Sequence, residues 1–446
     1  MNELNSIHVK DLAADVPASL ATGPFGSQIG SRFFRECGVP VLRGSNLSAE
    51  IGIRLNENGL VFIDEDLAKT FGRSTARRGD LVFTCWGTID QVGLITGDSR
   101  FDRYIVSNKQ MKLTPDPRKA SSLYLYYYFS SPAVRKEIVA NGIGTSVPGF
   151  NLGQLKAWHV PLPSLCKQEQ IASVLGSFDK QISLLERQNA TLEAAARAVF
   201  RSWFVDFDPV RAKLDGRRPH GLDDATAALF PDGFEHNNGE LVPHGWRQMP
   251  MSEAVEVNPK RSLKKKRAAT YLEMRNVPTA GHRPTAVATR AFTSGTKFVN
   301  GDTLMARITP CLENGKTAYV DFLRDGEVGW GSTEFLVLRP KPPLPTFFGY
   351  LLARDPEFRQ FAIQQMTGSS GRQRVPADSL SGYRIAVPDE DVAEAFGRRC
   401  QPYFDLIRAN SEESATLAEL RDALLPKLLS GELTVPDVEA LTEAPE

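Results

Sequence analysis

The sequence predicts an α+β protein with two related domains, each mostly β with one helix, separated by two long antiparallel coiled-coil helices. Three observations predict this class. The chain repeats itself at domain length, short β-like runs fill the first part of each repeat, and a heptad pattern closes each repeat. The chain has 446 residues and 41% apolar content, which suits about three domains with buried cores.

The repeat is visible in short phrases that return in the second half of the chain. Gly79–Val82 (GDLV) returns as Gly301–Leu304 (GDTL), and Gly144–Ser146 (GTS) returns as Gly368–Ser370 (GSS). The offsets are 222 and 224 residues. Solenoid repeats have periods of about 20 to 50 residues, so this period indicates a duplicated domain and internal two-fold character.

Each repeat begins with short runs of β-forming residues between turns, such as Val39–Arg43 and Leu304–Ile308. One helix follows in each, near residues 122–139 and 347–363, with a proline at which the helix kinks or restarts. We predict these divisions: first β-rich domain 1–165, first long helix 166–206, irregular connector 207–245, second β-rich domain 246–389, second long helix 390–432 and acidic tail 433–446.

Apolar residues at alternating spacings of four and three predict a coiled-coil seam in each long helix. The predicted seam comprises Ile171, Leu175, Phe178, Ile182, Leu185, Asn189 and Leu192, with Ile407, Asn410, Leu417 and Leu424. Two matching seams favour packing of the helices on each other, although a single amphipathic helix usually packs on its own domain. Antiparallel pairing would place Asn189 opposite Asn410, an amide pair that fixes the register. Pro402 and Pro426 predict a kink near each, or a late helix start at Pro402.

Composition excludes several classes of function. Lysine plus arginine and aspartate plus glutamate both number 53, so the net charge gives no sign of a polyanion partner, although residues 260–267 carry six cations. Five scattered cysteines without CxxC spacing, no signal peptide and no long apolar run predict a cytoplasmic protein with reduced thiols. Phosphate-loop, HExxH and GxSxG motifs are missing. We therefore expect a binding protein without catalytic residues, metal or cofactor.

Several phrases resemble one family, and their order is more specific than any one of them. They are Gly23–Ser27 (GPFGS), Val41–Asn46 (VLRGSN), Phe200–Val210 (FRSWFVDFDPV), Pro243–Trp246 (PHGW) and Leu424–Glu432 (LLPKLLSGE). Together the chain resembles the specificity subunit of type I restriction–modification systems over nearly its whole length. The second repeat departs from the pattern because it lacks the GPFGS phrase.

The resemblance implies a sequence-specific DNA-binding subunit without catalytic activity, in which each domain reads one part of a bipartite, gapped site. The long helices would act as a spacer of about 50 Å. Two methyltransferase subunits and a restriction subunit are the implied partners, and S-adenosylmethionine and ATP would bind to those partners. The alternatives are a two-domain protein-interaction scaffold without DNA recognition, which the zero net charge favours, and a methyltransferase or nuclease, which the missing motifs disfavour.

Side chains for DNA readout should lie in loops, because arginine pairs with guanine, amides pair with adenine, and lysine and serine hold phosphates. The first-domain candidates are Ser27, Gln28, Arg32, Arg43, Ser45, Asn46, Lys109, Thr145, Ser146 and Asn151. The second-domain candidates are Lys260, Arg261, Lys264, Arg275, Arg307, Lys316, Ser369, Ser370, Arg372, Gln373 and Arg374. The loop Gly368–Arg374 is the strongest of these, against the alternative of an ordinary solvated loop. Tyr124 and Tyr126–Tyr128 are predicted to be packing residues.

Overall fold

The computed structural model describes residues 5–144, 147–237, 239–369 and 371–438, with only the backbone described for Asn5 and Ser27. The chain divides into two compact units. The first unit is Met1–Ile182 with Ala415–Glu446, and the second unit is Ser183–Ser414. Each unit therefore contains one β-rich domain and a part of both long helices. The predicted α+β class is confirmed.

The first unit contains ten strands and five short helices in its described part. The strands are β1 (Asn5–His8), β2 (Leu20–Thr22), β3 (Val39–Leu42), β4 (Val61–Ile63), β5 (Thr75–Arg77), β6 (Leu81–Thr84), β7 (Val92–Leu94), β8 (Arg103–Val106), β9 (Gln110–Leu113) and β10 (His159–Leu162). The helices are α1 (Val9–Leu12), α2 (Glu65–Thr70), α3 (Ser122–Ser130), α4 (Pro132–Ala140) and α5 (Leu152–Ala157).

The first long helix, α6 (Leu165–Phe204), leads into the connector. The prediction of an irregular connector is wrong, because it forms α7 (Asp208–Leu214), α8 (Asp224–Ala228) and a hairpin of β11 (Phe234–Asn237) and β12 (Glu240–Pro243). Its prolines and aspartates start helices instead of breaking structure: a proline opens the first turn of α7, and Asp223 accepts from the backbone N–H of Thr226 to cap α8.

The described part of the second domain also has ten strands, with three short α-helices. Its strands are β13 (Arg247–Pro250), β14 (Val255–Val257), β15 (Ala268–Leu272), β16 (Ala288–Ala291), β17 (Thr296–Phe298), β18 (Thr303–Ala306), β19 (Thr317–Tyr319), β20 (Gly329–Gly331), β21 (Phe335–Pro340) and β22 (Arg384–Val387). The helices are α9 (Met251–Ala254), α10 (Phe348–Arg354), α11 (Pro356–Gln364) and the second long helix α12 (Glu390–Ser430).

Both domains have the same strand order. The first has sheets β2-β9-β6-β7 and β4-β3-β8-β5, and the second has β14-β21-β18-β19 and β16-β15-β20-β17. The second sheet of each contains a parallel pair, β3 with β8 and β15 with β20, among antiparallel neighbours. A third pairing joins the first and last strands of each domain, β1 with β10 and β13 with β22. The duplication predicted from short phrases therefore extends to the topology.

The helix after each sheet restarts at a proline, as predicted. Ser121 accepts from the N–H of Tyr124 to cap α3, and α4 begins at Pro132 directly after α3 ends. In the second unit Asp355 accepts from the N–H groups of Glu357 and Phe358, so that Pro356 opens α11. The tyrosines of α3 are buried in the core of the first unit, which confirms that they are packing residues.

The two long helices run antiparallel within each unit. In the second unit, Trp203 of α6 packs on Phe396 of α12, whereas Asn189 contacts Asn410, so residue numbers rise along one helix as they fall along the other. Every predicted seam residue is buried or half-buried. A late start at Pro402 is wrong: α12 begins at Glu390 and continues through both prolines, whose rings lie on its exposed face.

The predicted amide pair is present in the second unit. Asn410 donates from Nδ2 to Oδ1 of Asn189 at 2.9 Å, and Asn189 donates from Nδ2 to the hydroxyl of Ser411 at 3.2 Å. Both polar ends of Asn189 are therefore satisfied between the helices. A shift of either helix by one turn would separate these groups, so the pair favours one register.

The first unit uses a buried ionic contact to hold its part of the helices. Asp179 of α6 accepts from Arg421 of α12 at 2.7 Å, from Arg54 at 3.1 Å and from the hydroxyl of Tyr127 at 2.5 Å. The carboxylate is 6% exposed, so it needs all these donors to offset its desolvation. The beginning of α6 and the end of α12 share the same apolar core through Leu175, Leu425 and neighbouring residues.

The second unit holds the helices with a different network. Glu193 of α6 accepts from the hydroxyl of Tyr350 at 2.6 Å, and Tyr350 also accepts from Nε of Arg354 at 3.0 Å. The remaining donors of Arg354 reach four backbone carbonyls, those of Thr279, Gly281, Gly315 and Thr317. Burial and the Glu193 carboxylate raise the pKa of Tyr350 well above its ordinary value.

Candidate nucleic-acid interface

The strand registers identify equivalent positions in the two domains. Leu81 of β6 pairs with Leu113, and Thr303 of β18 pairs with Leu338. Counting back along the partner strands makes Lys109 equivalent to Glu334. The backbone agrees, because the N–H of Cys85 donates to the carbonyl of Lys109 and the N–H of Arg307 donates to that of Glu334.

A second set of contacts extends this equivalence to the loops. The N–H of Phe150 donates to the carbonyl of Cys85, and the N–H of Val375 donates to that of Arg307. The residues just before them, Gly149 and Arg374, are therefore equivalent, and each makes an isolated bridge to the segment after β6 or β18. The described residues of the two loops, 147–148 and 371–373, therefore lie at equivalent ends of β6 and β18 in their own units.

In the first unit a cleft with a volume of about 430 Å³ lies at this end of β6, and we call it the first-unit cleft. It is lined by Ile29, Phe34, Arg43, Gly44, Thr84, Trp86, Gly87, Thr88, Ser107, Asn108, Lys109 and Gln110. No acidic side chain occurs among these described lining residues. Two candidate cations, Arg43 and Lys109, thus come together beside Trp86, an aromatic side chain that is 45% exposed.

Arg43 is held in place from two sides. Its Nη2 donates to the carbonyl of Gly59 at 3.0 Å, and its guanidinium lies 5.6 Å from the ring centre of Phe34. Asn46 is buried: Oδ1 accepts from the N–H of Arg43 at 3.0 Å and Nδ2 donates to the carbonyl of Asn56 at 2.9 Å. Its selection as an accessible base reader is therefore wrong, because its amide shapes the loop that presents Arg43.

The other first-domain candidates differ in accessibility. Gln28, Arg32, Ser45, Lys109 and Asn151 are exposed, and the guanidinium of Arg32 lies over the ring of Phe33. Asn151 has a structural task, because it caps α5 by accepting from the N–H of Gln154 at 2.9 Å. Thr145, Ser146 and the side chain of Ser27 lie outside the described residues.

In the second unit the equivalent end of β18 carries carboxylates as well as cations. Arg374 donates from Nε at 3.0 Å and from Nη2 at 2.8 Å to the carboxylate of Glu334. Their side chains are 43% and 23% exposed, respectively. The hydrogen bonds that Arg374 donates to Glu334 raise the pKa of Arg374 above its ordinary value. The N–H of Thr309 donates to the carbonyl of Gln373, which places Gln373 and Arg307 beside this pair.

Two further candidates approach the same end of β18. Lys316 donates to the carbonyls of Met274 at 2.7 Å and Arg275 at 3.2 Å, and its own carbonyl accepts from the N–H of Ala306. Arg275 in turn pairs with Glu273 at 2.5 Å. We call the whole group the second-unit site; it consists of Glu273, Arg275, Arg307, Lys316, Glu334, Gln373 and Arg374.

The remaining second-domain candidates are not members of this site, and one of them lies outside the described residues. Arg261 pairs with buried Asp302 at 3.1 Å, at the opposite end of β18 from Arg307. Burial raises the pKa of Asp302, against the effect of Arg261. Lys260 and Lys264 are exposed, the latter in a basic turn, residues 264–267, that precedes β15. Ser369 and Arg372 are exposed, whereas Ser370 lies outside the described residues.

Sequence reasoning missed Trp86, Glu273 and Glu334. Trp86 next to Gly87, just after a predicted strand, is a signal that was available in the sequence. The two glutamates gave no such signal, because a search for DNA contacts selects cations and amides. Only the strand registers show that Glu273 and Glu334 occupy the places of Arg43 and Lys109.

One part of the chain matches a known family model. A family model described as "Type I restriction modification DNA specificity domain" matches residues 50–194. Residues 50–194 thus carry a type I DNA specificity domain. The segment comprises most of the first domain and the greater part of α6. The resemblance inferred from the sequence is confirmed by this match and by the relatives below.

Two curated relatives each align with most of this chain. It is 23% identical over 383 residues to the HindI specificity subunit of Haemophilus influenzae, covering 75% of this chain and 83% of that protein. It is 24% identical over 336 residues to the MjaIX specificity subunit of Methanocaldococcus jannaschii, covering 71% and 70%. Both proteins are named as subunits of type I restriction enzymes.

The fold also has a solved counterpart. The crystal structure of the S subunit of a type I restriction–modification system from M. genitalium superposes with a TM-score of 0.52 and 15% identity, over 96% of this chain and 97% of that chain. This likeness supports the architecture of two sheet-rich domains with a long helix between them in the chain. In the described part of this chain, no helix combines the length and apolarity that crossing a bilayer requires.

Proposed function

We propose that this chain is the DNA-recognition subunit of a type I restriction–modification complex, without catalytic activity of its own, and that each domain reads one part of a bipartite, gapped DNA site. The two long helices, each of which belongs to both units, would set the gap between the two parts. The type I specificity subunit is the coarser assignment that the family match supports; the division of labour between the domains is our proposal.

The main support for this proposal is that the two domains share one fold but carry different side chains at equivalent surface positions. The strand order and the loop contacts at the ends of β6 and β18 are the same, yet Arg43 and Lys109 are replaced by Glu273 and Glu334. Direct readout depends on the donors and acceptors that a protein presents to base edges. Two equivalent sites that carry opposite charges at these two positions therefore suit two half-sites of different sequence.

Partners would supply the chemistry. We propose two methyltransferase subunits and one restriction subunit, with S-adenosylmethionine and ATP bound by those partners. The proposed readers are half-buried Arg43 and exposed Lys109 of the first-unit cleft, exposed Ser45 two residues after Arg43, and the cations of the second-unit site. Lys260, Lys264 and Arg372 are proposed to contact phosphates, because each has an exposed side chain in a loop.

The test is to co-express the chain with the methyltransferase encoded beside it and to sequence modified bases in the host DNA. Methyladenine confined to a gapped, two-part motif is expected. The control is the methyltransferase expressed alone, which should leave that motif unmodified. Methylation that is absent, or the same without this chain, would contradict the proposal and favour the protein-interaction scaffold.

A further inference from the structure

The second-unit site contains an arginine that is already fixed in a geometry suited to one particular base. Resting on the proposed function, we propose that Arg374 reads a guanine in the half-site of the second domain, that Glu334 is its positioning residue, and that the first domain lacks this contact. The family match does not assign any of these roles.

Hydrogen bonds orient the guanidinium of Arg374. A guanidinium has five N–H donors in a planar fork. Nε and one hydrogen of Nη2 are engaged by Glu334, and one hydrogen of Nη1 reaches the carbonyl of Arg372 at 3.3 Å. Among the described residues this leaves one N–H on each terminal nitrogen. Two N–H groups on the outer edge of the fork match the adjacent N7 and O6 acceptors of guanine.

Hydrogen bonds also fix the backbone of Glu334. Its carbonyl accepts from the N–H of Arg307 at 3.0 Å, and its own N–H donates to the hydroxyl of Ser332 at 3.1 Å. The backbone at Arg374 is fixed as well, because its N–H donates to the carbonyl of Thr367 at 2.8 Å. Both partners of the ion pair therefore start from fixed backbone, and Arg374 loses little side-chain freedom when it binds a base.

The first domain differs from the second at these positions. Gly149 occupies the place of Arg374, and an added Cβ there would lie 2.5 Å from the ring of Trp86, so any side chain at this position would require Trp86 to move. Lys109 stands where Glu334 stands and brings a positive charge. The first domain consequently cannot form this pair, and the two half-sites should differ at the base pair that Arg374 contacts.

The experiment uses the complex of this chain with its methyltransferase and duplexes that carry the methylated motif. Each guanine in the motif is replaced in turn by 7-deazaguanine, which lacks the N7 acceptor. With the wild-type chain, one replacement should weaken binding by about 5-fold to 150-fold. With Arg374→Ala, binding to the duplex that keeps all its guanines should fall by a similar factor. The 7-deazaguanine that weakens wild-type binding should then have no further effect. Arg374→Lys should behave like Arg374→Ala, because a lysine cannot make the two-pronged contact.

Glu334→Gln separates positioning from a purely structural role. Loss of the carboxylate frees Arg374 and removes a negative charge near DNA. Affinity for unrelated duplexes should therefore rise while the sensitivity to 7-deazaguanine falls. Misfolding would instead lower the affinity for the motif and for unrelated duplexes alike. It would also reduce the discrimination against duplexes that are altered only in the other half-site.

The outcomes are distinct. Absence of any gapped motif would contradict the proposed function as a whole. A gapped motif whose Arg374→Ala variant keeps full sensitivity to 7-deazaguanine, or in which Arg374→Ala alters neither half, would overturn the guanine contact alone. A half that responds to Arg374→Ala but contains no guanine on either strand would do the same.

Discussion

The two units share a scaffold and differ in the charged and aromatic side chains at the ends of β6 and β18. The first presents Arg43, Lys109 and a tryptophan without a carboxylate in its cleft, whereas the second presents Arg374 held by Glu334. The strand order that places these side chains is the same. The difference shows that the register of the buried strands fixes the position of each DNA-contacting side chain. A few loop residues then determine the charge and the hydrogen-bonding groups at that position.

The helices give a second contrast. The first unit binds them through the charged Asp179, with three donors, and the second unit through Tyr350 and Glu193 and the amide pair of Asn189 and Asn410. Asp179 is the shared acceptor of Arg54 and Arg421, so its loss removes a contact from both cations, whereas loss of Glu193 leaves Arg354 bonded to four backbone carbonyls. The two units should therefore differ in their sensitivity to loss of one polar partner.

The largest effect is expected at the ionic contact of the first unit. Asp179→Ala leaves Arg54 and Arg421 without their shared carboxylate and should cost about 3–5 kcal/mol. Glu193→Ala should cost the second unit only about 1–3 kcal/mol, because Arg354 keeps its backbone carbonyls. Hydrogen exchange of peptides from α3 and α10 in urea would measure each unit separately.

The matched control for both substitutions is Asp66→Ala, whose exposed contact with Lys69 should contribute almost nothing. Equal losses in both units after Asp179→Ala would show that this carboxylate is not specific to the first. Full protection of α3 would show that apolar packing of Leu175, Leu425 and Leu428 suffices without it.

The amide pair allows the next test. Asn189→Leu removes the acceptor of Asn410, and we expect a loss of about 1–3 kcal/mol in the second unit. The double variant Asn189→Leu with Asn410→Leu should regain that stability and lose register specificity, as seen by broadened amide signals along α12. A single variant as stable as the wild type would mean that the pair does not fix the register.

The basic turn before β15 offers a test without a counterpart in the first unit. Replacing Lys264, Lys265 and Lys266 by glutamine should flatten the salt dependence of DNA binding, by up to about 0.9 in slope for each phosphate that these lysines neutralise. Titration of binding against salt concentration would measure it. Lys10, exposed in the first unit, is the control cation. An unchanged slope would place the turn away from DNA.

The smallest effect is expected at Arg372, two residues from Arg374. Its side chain has no hydrogen-bond partner within the described residues, so we expect a phosphate contact and not a base contact. Arg372→Ala should weaken binding about equally on every sequence and lower the salt slope by about 1. If it instead relaxed discrimination at one base pair, Arg372 and not Arg374 would be the better reader.

Local patterns predicted much of this molecule. The heptads gave both long helices and the contact of Asn189 with Asn410, because a helix seam depends only on spacing. The short runs at Val39–Arg43 and Leu304–Ile308 became β3 and β18 with small changes of boundary. A proline in a long helix misled us at Pro402, since packing along α12 outweighs the absence of one hydrogen bond.

The site was harder to predict because its residues are joined by distant contacts. Glu334 and Arg374 are 40 residues apart, and no local pattern pairs them. Asn46 was misjudged because an amide gives the same signal in the sequence whether it faces a loop backbone or solvent. Arg261 illustrates the reverse case, in which a cation beside other cations is bound to a buried aspartate.

The first unit is built from two separate segments of the chain, which affects the order in which the units can fold during synthesis. Its core includes Leu425 and Leu428 of α12 and continues to Val435 and Val438, whereas the second unit ends at Ser414. On the ribosome, the second unit has all its residues before the first unit does, although the first begins to emerge earlier. Until the last turns of α12 leave the exit tunnel, Asp179 cannot pair with Arg421. The first unit can therefore complete its core only after the second domain has been synthesised.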